Sequence, residues 1–197
     1  MPRQPDPPST KGERTRARIL AAARRVFATV GFERATIRGI ATAAEVDKSS
    51  VIQYFGSKLQ LFREAVHWDI PFDRILSSDP TRTASNHVRG ILESWAAQPD
   101  GPMVVLLRAS LTSDDAAEIL RAHITEQAVD KLAATIDAPD ARLRAALVQA
   151  MLMGIASQRH LLRMPDLHAA DIDDIVRLTT PLLRELIAPT ESDSDGK

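Results

Sequence analysis

Apolar residues recur at steps of three and four positions along most of the chain, which is the spacing of one buried face of an α-helix. In the first such stretch, a helix predicted over 16–30, the apolar face comprises Ile19, Leu20, Ala23, Val26, Phe27 and Val30. Gly31 follows as the expected left-handed end of this helix, with Phe32 folding back onto its last turn. The sequence lacks the alternation of apolar and polar residues that marks a β-strand, so it predicts an all-α fold.

Three short helices are predicted next. Thr36 is an N-cap before a second helix of two turns, and Asp47 is expected to cap a third helix over 48–54. Ser57 begins a fourth helix. Two helices as short as the second and third, joined by about three residues, cannot bury enough surface alone. We therefore expect them to share a small core with the helix over 16–30, as a helix-turn-helix does.

Longer helices are predicted for the rest of the chain, over about 81–97, 103–111, 113–136, 140–162 and 171–187. Asp137 is the expected cap of the helix at 140, and residues 163–169 read as a loop. Pro181 lies inside the last helix, where its missing amide predicts a kink. The predicted architecture has about nine helices: an N-terminal three-helix head followed by a larger helical body.

These elements divide the chain into four parts. Residues 1–12 are rich in proline and polar side chains, and residues 189–197 form an acidic tail, so both ends are expected to be disordered. Between them we expect the helix-turn-helix domain at 13–60 and a helical domain at 61–188.

Composition agrees with this architecture. Hydrophobic residues make up 44% of the 197 residues, but aromatic residues only 4%, which favours aliphatic helix packing over a β-sandwich. The absence of cysteine excludes disulfides and Cys-ligated metals and fits a cytoplasmic protein. No apolar run reaches about 18 residues, and the first residues lack an apolar signal stretch. Neither a membrane partner nor secretion is expected.

Charge is distributed unevenly along the chain. Residues 1–60 hold 11 Lys and Arg against 5 Asp and Glu, whereas residues 61–197 hold 14 against 21. A basic segment joined to an acidic remainder suggests that only the first part meets a polyanion, although a chance surface imbalance is the alternative. The outward residues of the predicted third helix are Lys48, Ser49, Ser50 and Gln53. These side chains can approach base edges or phosphates, or can simply solvate an exposed helix.

Residues 15–66 resemble the DNA-binding module of the tetracycline-repressor (TetR) family. The resemblance is carried by the VFATVGF end of the first helix, the TIRGIA run from Thr36, the turn at Ala44–Val46 and the IQYFGSK segment. It implies that the third helix enters the major groove, so that Lys48, Ser49, Ser50 and Gln53 face bases or nearby phosphates. It also implies that Thr36, Tyr54 and Lys58 hold phosphates and that Arg38 contacts either bases or phosphates.

Three residues depart from the family pattern. Glu45 stands where the family usually has glycine, and in a left-handed conformation it costs roughly 1 kcal/mol and brings a negative charge near DNA. Ile52 replaces an aromatic residue, often tyrosine, so a phenol contact is lost. Gly39 lies inside a two-turn helix at a cost of about 1 kcal/mol, either to admit a close backbone or as neutral drift.

The resemblance implies that the remainder is a ligand-binding and dimerisation domain. Small and apolar residues on the last two long helices predict a four-helix interface with a two-fold mate, the alternative being packing within one subunit. The proposed interface residues are Leu143, Leu147, Ala150, Gly154, Leu161, Ile175, Leu182 and Leu183. Candidate ligand contacts lie within or beside apolar stripes: Trp95, Met103, Arg108, His123, Gln127, Met151 and His160. Core packing or surface exposure explains each of these almost as well.

Enzyme function is not supported by any motif. HExxH, GxSxG and phosphate-binding glycine loops do not occur, and the five histidines lack metal-ligand spacing. No catalytic residue, metal or cofactor is therefore expected. The sequence favours a homodimeric repressor of a palindromic double-stranded DNA operator, released by a small, mostly apolar effector. The alternative is a helical small-molecule-binding or partner-binding protein with a degenerate DNA-binding module.

Overall fold

The computed structural model describes residues 10–188, and within them the backbone forms helices and no β-strand. The helices are α1 Lys11–Arg34, α2 Ile37–Ala43, α3 Lys48–Phe55, α4 Lys58–Ala65, α5 Phe72–Ile75, α6 Pro80–Ala97, α7 Pro102–Ser110, α8 Asp114–Ile124, α9 Asp130–Ala133, α10 Ala141–Ala156, α11 Pro165–Ala169 and α12 Ile172–Ile187. A π-helical turn, Thr125–Val129, joins α8 to α9, and another, Ser157–Leu161, continues α10. The predicted all-α fold class is confirmed.

Helix α1 begins earlier than predicted. The Thr10 side chain accepts a hydrogen bond from the Glu13 amide at 3.2 Å, and the Glu13 carboxylate accepts one from the Thr10 amide at 2.8 Å. This reciprocal capping box starts the helix at Lys11, so residues 10–12 do not belong to a disordered arm. The predicted disorder of residues 1–9 and 189–197 lies outside the described residues.

The break in α1 at Gly31 and the caps of α2 and α4 follow the sequence prediction, although the helix resumes after the break and ends at Arg34. Gly31 has φ 77°, a left-handed value that breaks the helix, and the Phe32 side chain turns back into the core. The Thr36 hydroxyl accepts from the Gly39 amide at 3.0 Å, and the Ser57 hydroxyl caps α4 in the same way. Side-chain caps of this kind satisfy amides that the first helical turn leaves unpaired.

Other boundaries differ from the prediction. The N-cap of α10 is Asp140 rather than Asp137, and neither its side chain nor that of Asp47, at the N-cap of α3, makes a capping hydrogen bond. Residues 163–169, predicted as a loop, contain α11, because Pro165 suits the first position of a helix. Helix α12 continues through Pro181 as one element.

The chain forms two compact units that alternate along the sequence. Among the described residues, the first comprises 10–68 and 100–120, and the second comprises 69–99 and 121–188. This division differs from the predicted boundary between residues 60 and 61, because α4 buries Leu61 and Phe62 completely in the core of the first unit.

Aromatic side chains hold the core of the first unit together. The rings of Phe27 and Phe62 meet edge to face with centroids 4.9 Å apart, and the rings of Phe32 and Phe62 lie 4.6 Å apart. Helix α7 contributes Leu106 to the same core. This cluster supplies the shared support that the two short helices α2 and α3 need.

In the second unit, α6 packs against α12 and α10. Its fully buried side chains include Val88 and Leu92 on α6, Leu152 on α10 and Leu183 on α12. Most of this interior is aliphatic, as the low aromatic content predicted, with Phe72 and Trp95 as buried aromatic residues.

Candidate nucleic-acid interface and ligand-binding residues

Helices α2 and α3 are joined by a tight turn that fixes their geometry. The Val46 amide donates to the Ala41 carbonyl at 3.0 Å, and the Glu45 amide donates to the Thr42 carbonyl at 3.1 Å. Glu45 has φ 53°, so this exposed glutamate occupies the left-handed conformation expected at the glycine position of the turn. The turn has helix-turn-helix form despite the missing glycine.

Helix α3 has one buried and one exposed side. Val51 and Phe55 are buried in the core of the first unit and hold the helix in place. On the other side Lys48, Ser49 and Gln53 are exposed, as the sequence predicted for a recognition face. Ser50 and Tyr54 are half-buried. Ile52, at the position where the resembling family usually has an aromatic residue, is exposed and adds an apolar side chain to this surface.

Thr36 and Arg38 flank this surface at the start of α2, and both are exposed. A Cβ placed on Gly39 would stand 3.2 Å from the Thr36 hydroxyl oxygen. Gly39 therefore leaves room for the threonine cap, which gives this helix-breaking residue a local structural reason.

Lys58 has a different position from the one expected. Its ammonium group donates to the carbonyl of Phe32 at 2.9 Å and to that of Glu33 at 3.3 Å, and it lies 4.4 Å from the centre of the Phe32 ring. These carbonyls lie just after the break at Gly31, where the regular hydrogen bonding of the helix is interrupted. In this structure Lys58 ties α4 to the end of α1, rather than presenting its charge to a phosphate.

Tyr54 lies over the beginning of α1. Its hydroxyl is 3.4 Å from the place that a Cβ on Gly12 would occupy. Nearby, Arg16 forms an ion pair with Glu64 and stands over the Phe55 ring at 5.0 Å. Arg16 thus braces α1 against α3 and α4, and part of the basic charge of the first unit has an internal role.

Four leucines on α10 and α12 in the second unit are exposed. The exposed fractions are 61% for Leu143, 44% for Leu147, 62% for Leu178 and 56% for Leu182. The leucines lie four residues apart on each helix, which places each pair on one face. We call these four residues the leucine face. Leu178 was missed from the sequence, because its spacing from Leu182 does not show which face of α12 is exposed.

The other predicted interface residues are distributed differently. Ala150 is exposed, and Gly154 and Leu161 are half-buried. Ile175 and Leu183 are buried within the chain, so their side chains are not available to a second subunit, which corrects the prediction for these two residues. They lie on the inward side of α12, whose outward side carries Leu178 and Leu182.

The predicted ligand residues do not form one group. Met103 and Arg108 belong to the first unit, where the exposed Arg108 side chain pairs with Asp100 at 3.1 Å. In the second unit, the Gln127 carbonyl oxygen accepts from Lys131 at 2.7 Å. His123 and Met151 are half-buried.

Trp95 and His160 are brought together in the second unit. Trp95 is buried, and its ring centroid lies 6.2 Å from that of His160, which belongs to the π-helical turn after α10. Desolvation, followed by the charge of Arg159 and the ring of His168, lowers the pKa of His160 below its ordinary value. Its Nε2 atom is buried and has no hydrogen-bond partner among the described residues.

The sequence analysis missed a buried polar pair between α6 and α10. His87 is 4% exposed, and its Nε2 lies 3.4 Å from the side-chain nitrogen of Gln149, which is also buried. Burial lowers the pKa of His87 to about 4. The Phe72 ring packs edge-on against the imidazole at 5.7 Å. In the sequence His87 adjoins Val88, which belongs to a predicted apolar stripe, and this position could have indicated that the histidine is buried.

The described residues, 10–188, include neither a membrane-spanning helix nor a cluster of metal ligands. None of their helices combines the length and the apolar character needed to cross a lipid bilayer. Between residues 10 and 188, no three acidic, histidine or cysteine side chains come together in a way that could hold a metal ion.

Two family models match the chain. The model described as bacterial regulatory proteins of the tetR family matches residues 19–65, which contain α2, α3 and α4. The model described as a tetracyclin repressor-like C-terminal domain matches residues 82–187, more than half of the chain. No curated protein matches the chain in sequence.

Solved structures resemble the chain over nearly its whole length. A TetR-family regulator from Streptomyces coelicolor A3 is 26% identical, with a TM-score of 0.62 over 93% of this chain and 99% of that one. NalD, the secondary repressor of the MexAB-OprM multidrug efflux pump in Pseudomonas aeruginosa, is 21% identical, with a TM-score of 0.68 over 90% and 98%. The multidrug binding protein EbrR complexed with proflavin is 22% identical, with a TM-score of 0.59 over 88% and 99%. The likeness to NalD and EbrR concerns the fold alone.

Proposed function

Because the chain belongs to the tetracycline-repressor family of transcriptional regulators, we propose that it is a repressor that binds a palindromic operator as a homodimer and leaves it when a small molecule binds. The observation that carries this proposal is the polar, exposed face of α3, held in place by the buried Val51 and Phe55. A short helix presented in this way fits the major groove of B-DNA.

Side chains on this face have complementary chemistry for DNA. Gln53 can form a bidentate pair with adenine, and Lys48 can contact guanine or a phosphate. The exposed Thr36 and Arg38 flank them at the start of α2, where backbone amides favour an anion. The positive charge of the first 60 residues would steer this unit to DNA and would make binding depend on salt.

The leucine face supports a dimer. Four leucines exposed on two adjacent helices are unusual for a surface that stays in water. Their pairing across a two-fold axis would bury eight leucine side chains in a four-helix interface. A two-fold dimer presents two α3 helices, which must match half-sites about 34–36 Å apart in successive major grooves.

Effector release is proposed for the second unit. The chain passes between the units after residues 68, 99 and 120, so a change in the second unit has three covalent routes to the first. Release requires the effector to prefer the dimer that does not bind DNA, and DNA must weaken effector binding by the same factor. A mostly apolar effector suits the apolar interior of this unit.

Selection of binding sites from random duplex DNA by the full-length protein tests the proposal. An inverted repeat should be enriched, and its affinity should fall steeply as salt rises. Gln53→Ala should relax the preference at one position of each half-site. Gln60→Ala, which truncates the same type of exposed side chain on α4, should not change it. Unaltered preference in the Gln53 variant would contradict the recognition face.

A second candidate function rests on Glu45 and Ile52. An exposed carboxylate in the turn and an exposed isoleucine on α3 both weaken a DNA-binding surface. A helical small-molecule-binding or partner-binding protein that has lost its operator would tolerate both residues. Selection that enriches no sequence, with binding no stronger than to random DNA, would favour this second function.

A further inference from the structure

The hydrogen-bonding capacity of His87 is only half used. A neutral imidazole has one donor and one acceptor nitrogen. Its Nε2 lies 3.4 Å from the side-chain nitrogen of Gln149, and because an amide nitrogen donates, we assign Nε2 as the acceptor and the proton to Nδ1. The Nδ1 atom is buried and has no acceptor among the described residues. Such an atom is rare, because a buried N–H without a partner keeps the cost of its lost hydration.

The side chains in contact with the imidazole are uncharged. His87 packs against the edge of the Phe72 ring, and its neighbour on α6, Val88, is completely buried. Lys131 lies over the Phe72 ring, 5.8 Å from its centre, and its ammonium group, which donates to the neutral Gln127 side chain, keeps its charge at that ring rather than at the imidazole. The imidazole itself carries no charge near neutral pH. An anion bound at Nδ1 would leave water for a neutral N–H group, because the side chains in contact with the imidazole, Phe72 and Gln149, carry no charge.

We propose that the effector carries an uncharged hydrogen-bond acceptor, a ketone, ester or amide carbonyl on an apolar body, and that this group binds Nδ1–H of His87. The inference rests on the proposed function only in identifying the bound molecule as the effector. Gln149 positions the imidazole by donating to Nε2, which fixes the tautomer that offers the proton to the ligand. Apolar packing then supplies affinity, and the single N–H group selects for the carbonyl.

A second feature of the same two helices supports this location. On α10 and its π-helical extension, His160 lies eleven residues after Gln149. The His160 ring lies against Trp95, which is eight residues after His87 on α6. Its buried Nε2 also lacks a partner among the residues that the structure describes. Two imidazoles, each with a buried nitrogen that lacks a partner among the described residues, thus border one pair of helices. π-Helical turns such as the one that carries His160 occur frequently at functional sites.

Stability without any ligand provides the first test. If the pair exists for a ligand, replacing both partners by leucine removes a buried N–H that has no acceptor. The double variant His87→Leu, Gln149→Leu should then melt at a higher temperature than the wild type, whereas His87→Leu alone leaves the Gln149 amide unpaired and should gain less. A double variant that folds but melts at a lower temperature would overturn the inference, because the pair would then be structural.

Ligand binding provides the second test. The probes are a homologous series of 2-alkanones, the 2-methyl-1-alkenes of the same shape, in which CH2 replaces the carbonyl oxygen, and the corresponding alkanoates. A 2-alkanone should bind the wild-type protein about tenfold more tightly than its alkene counterpart, as measured by thermal shift without DNA. On binding, the ¹⁵N resonance of His87 Nδ1 should move.

Variants at His87 make the test specific. His87→Asn keeps an N–H donor near the Nδ1 position and should retain part of the preference for the ketone, whereas His87→Leu should lose it. The proposal fails if no 2-alkanone binds, if alkenes or alkanoates bind as tightly as ketones, or if His87→Leu keeps the preference. Binding at His87 that does not release DNA would contradict the proposed effector role and leave the site intact.

Discussion

Replacement of Glu45 by glycine should stabilise the protein. Glu45 has φ 53°, and a residue with a Cβ atom in this conformation costs about 1–2 kcal/mol relative to glycine. Glycine gives back about 0.5–1 kcal/mol through the larger entropy of its unfolded chain. The net gain in the free energy of unfolding is therefore about 0.5–1 kcal/mol, which raises the melting temperature of a chain of this size by about 1–4 °C.

Thermal and urea unfolding of the Glu45→Gly and Glu45→Ala variants separates backbone strain from charge. Alanine removes the carboxylate but keeps Cβ, so it should give little or none of the gain. Both variants remove the negative charge and should therefore bind the selected operator more tightly, with the largest difference at low salt. An alanine variant as stable as the glycine variant, or a glycine variant no more stable than wild type, would refute the assignment of strain to this turn.

Four other predictions concern separate parts of the molecule. Gln53→Ala should lose about 1–3 kcal/mol of discrimination at one base pair in competition binding with single-substitution operators; equal losses on every sequence would mean a phosphate contact. Leu147→Asp should weaken dimerisation by roughly a hundredfold in sedimentation equilibrium, because the two subunits would bring two carboxylates into the interface. Leu111→Asp, at an exposed leucine outside the leucine face, should not weaken it. Thr36→Ala should lower the free energy of unfolding by about 1 kcal/mol and Thr36→Ser should not, since the hydroxyl caps α2. Burial lowers the pKa of His87 to about 4, so as pH drops from about 6.5 to about 4 the unfolded chain takes up a proton before the folded protein does. Over this range the free energy of unfolding should fall by up to about 3 kcal/mol more in the wild type than in His87→Leu. Parallel pH profiles for the two proteins would contradict a buried neutral imidazole.

Features determined by neighbouring residues could be predicted from the sequence. The caps at Thr36 and Ser57 and the left-handed Gly31 depend on a few adjacent positions, and the structure confirms all three. The start of α1 also has a local signal, because Thr10 and Glu13 form a capping box. The proline-rich composition of the preceding residues nevertheless led to the prediction that residues 1–12 are disordered.

Features that depend on packing between distant segments could not be predicted. Lys58 lies at a helix start that would suit a phosphate, yet its ammonium group contacts carbonyls 25 and 26 residues earlier in the chain. On α12 the apolar positions cover more than one face, so periodicity could not tell the buried Leu183 from the exposed Leu178. The position of His87 on an apolar stripe likewise gave no indication of Gln149, which lies 62 residues further on.

The mass of the protein–DNA complex on the selected inverted repeat tests the central claim most directly. Sedimentation equilibrium with labelled operator, read at the wavelength of the label, reports how many protomers each duplex carries. The account predicts two protomers bound cooperatively to one inverted repeat, and loss of this complex in the Leu147→Asp variant. A single protomer bound with full sequence preference, or a protein that remains monomeric both free and on DNA, would contradict it.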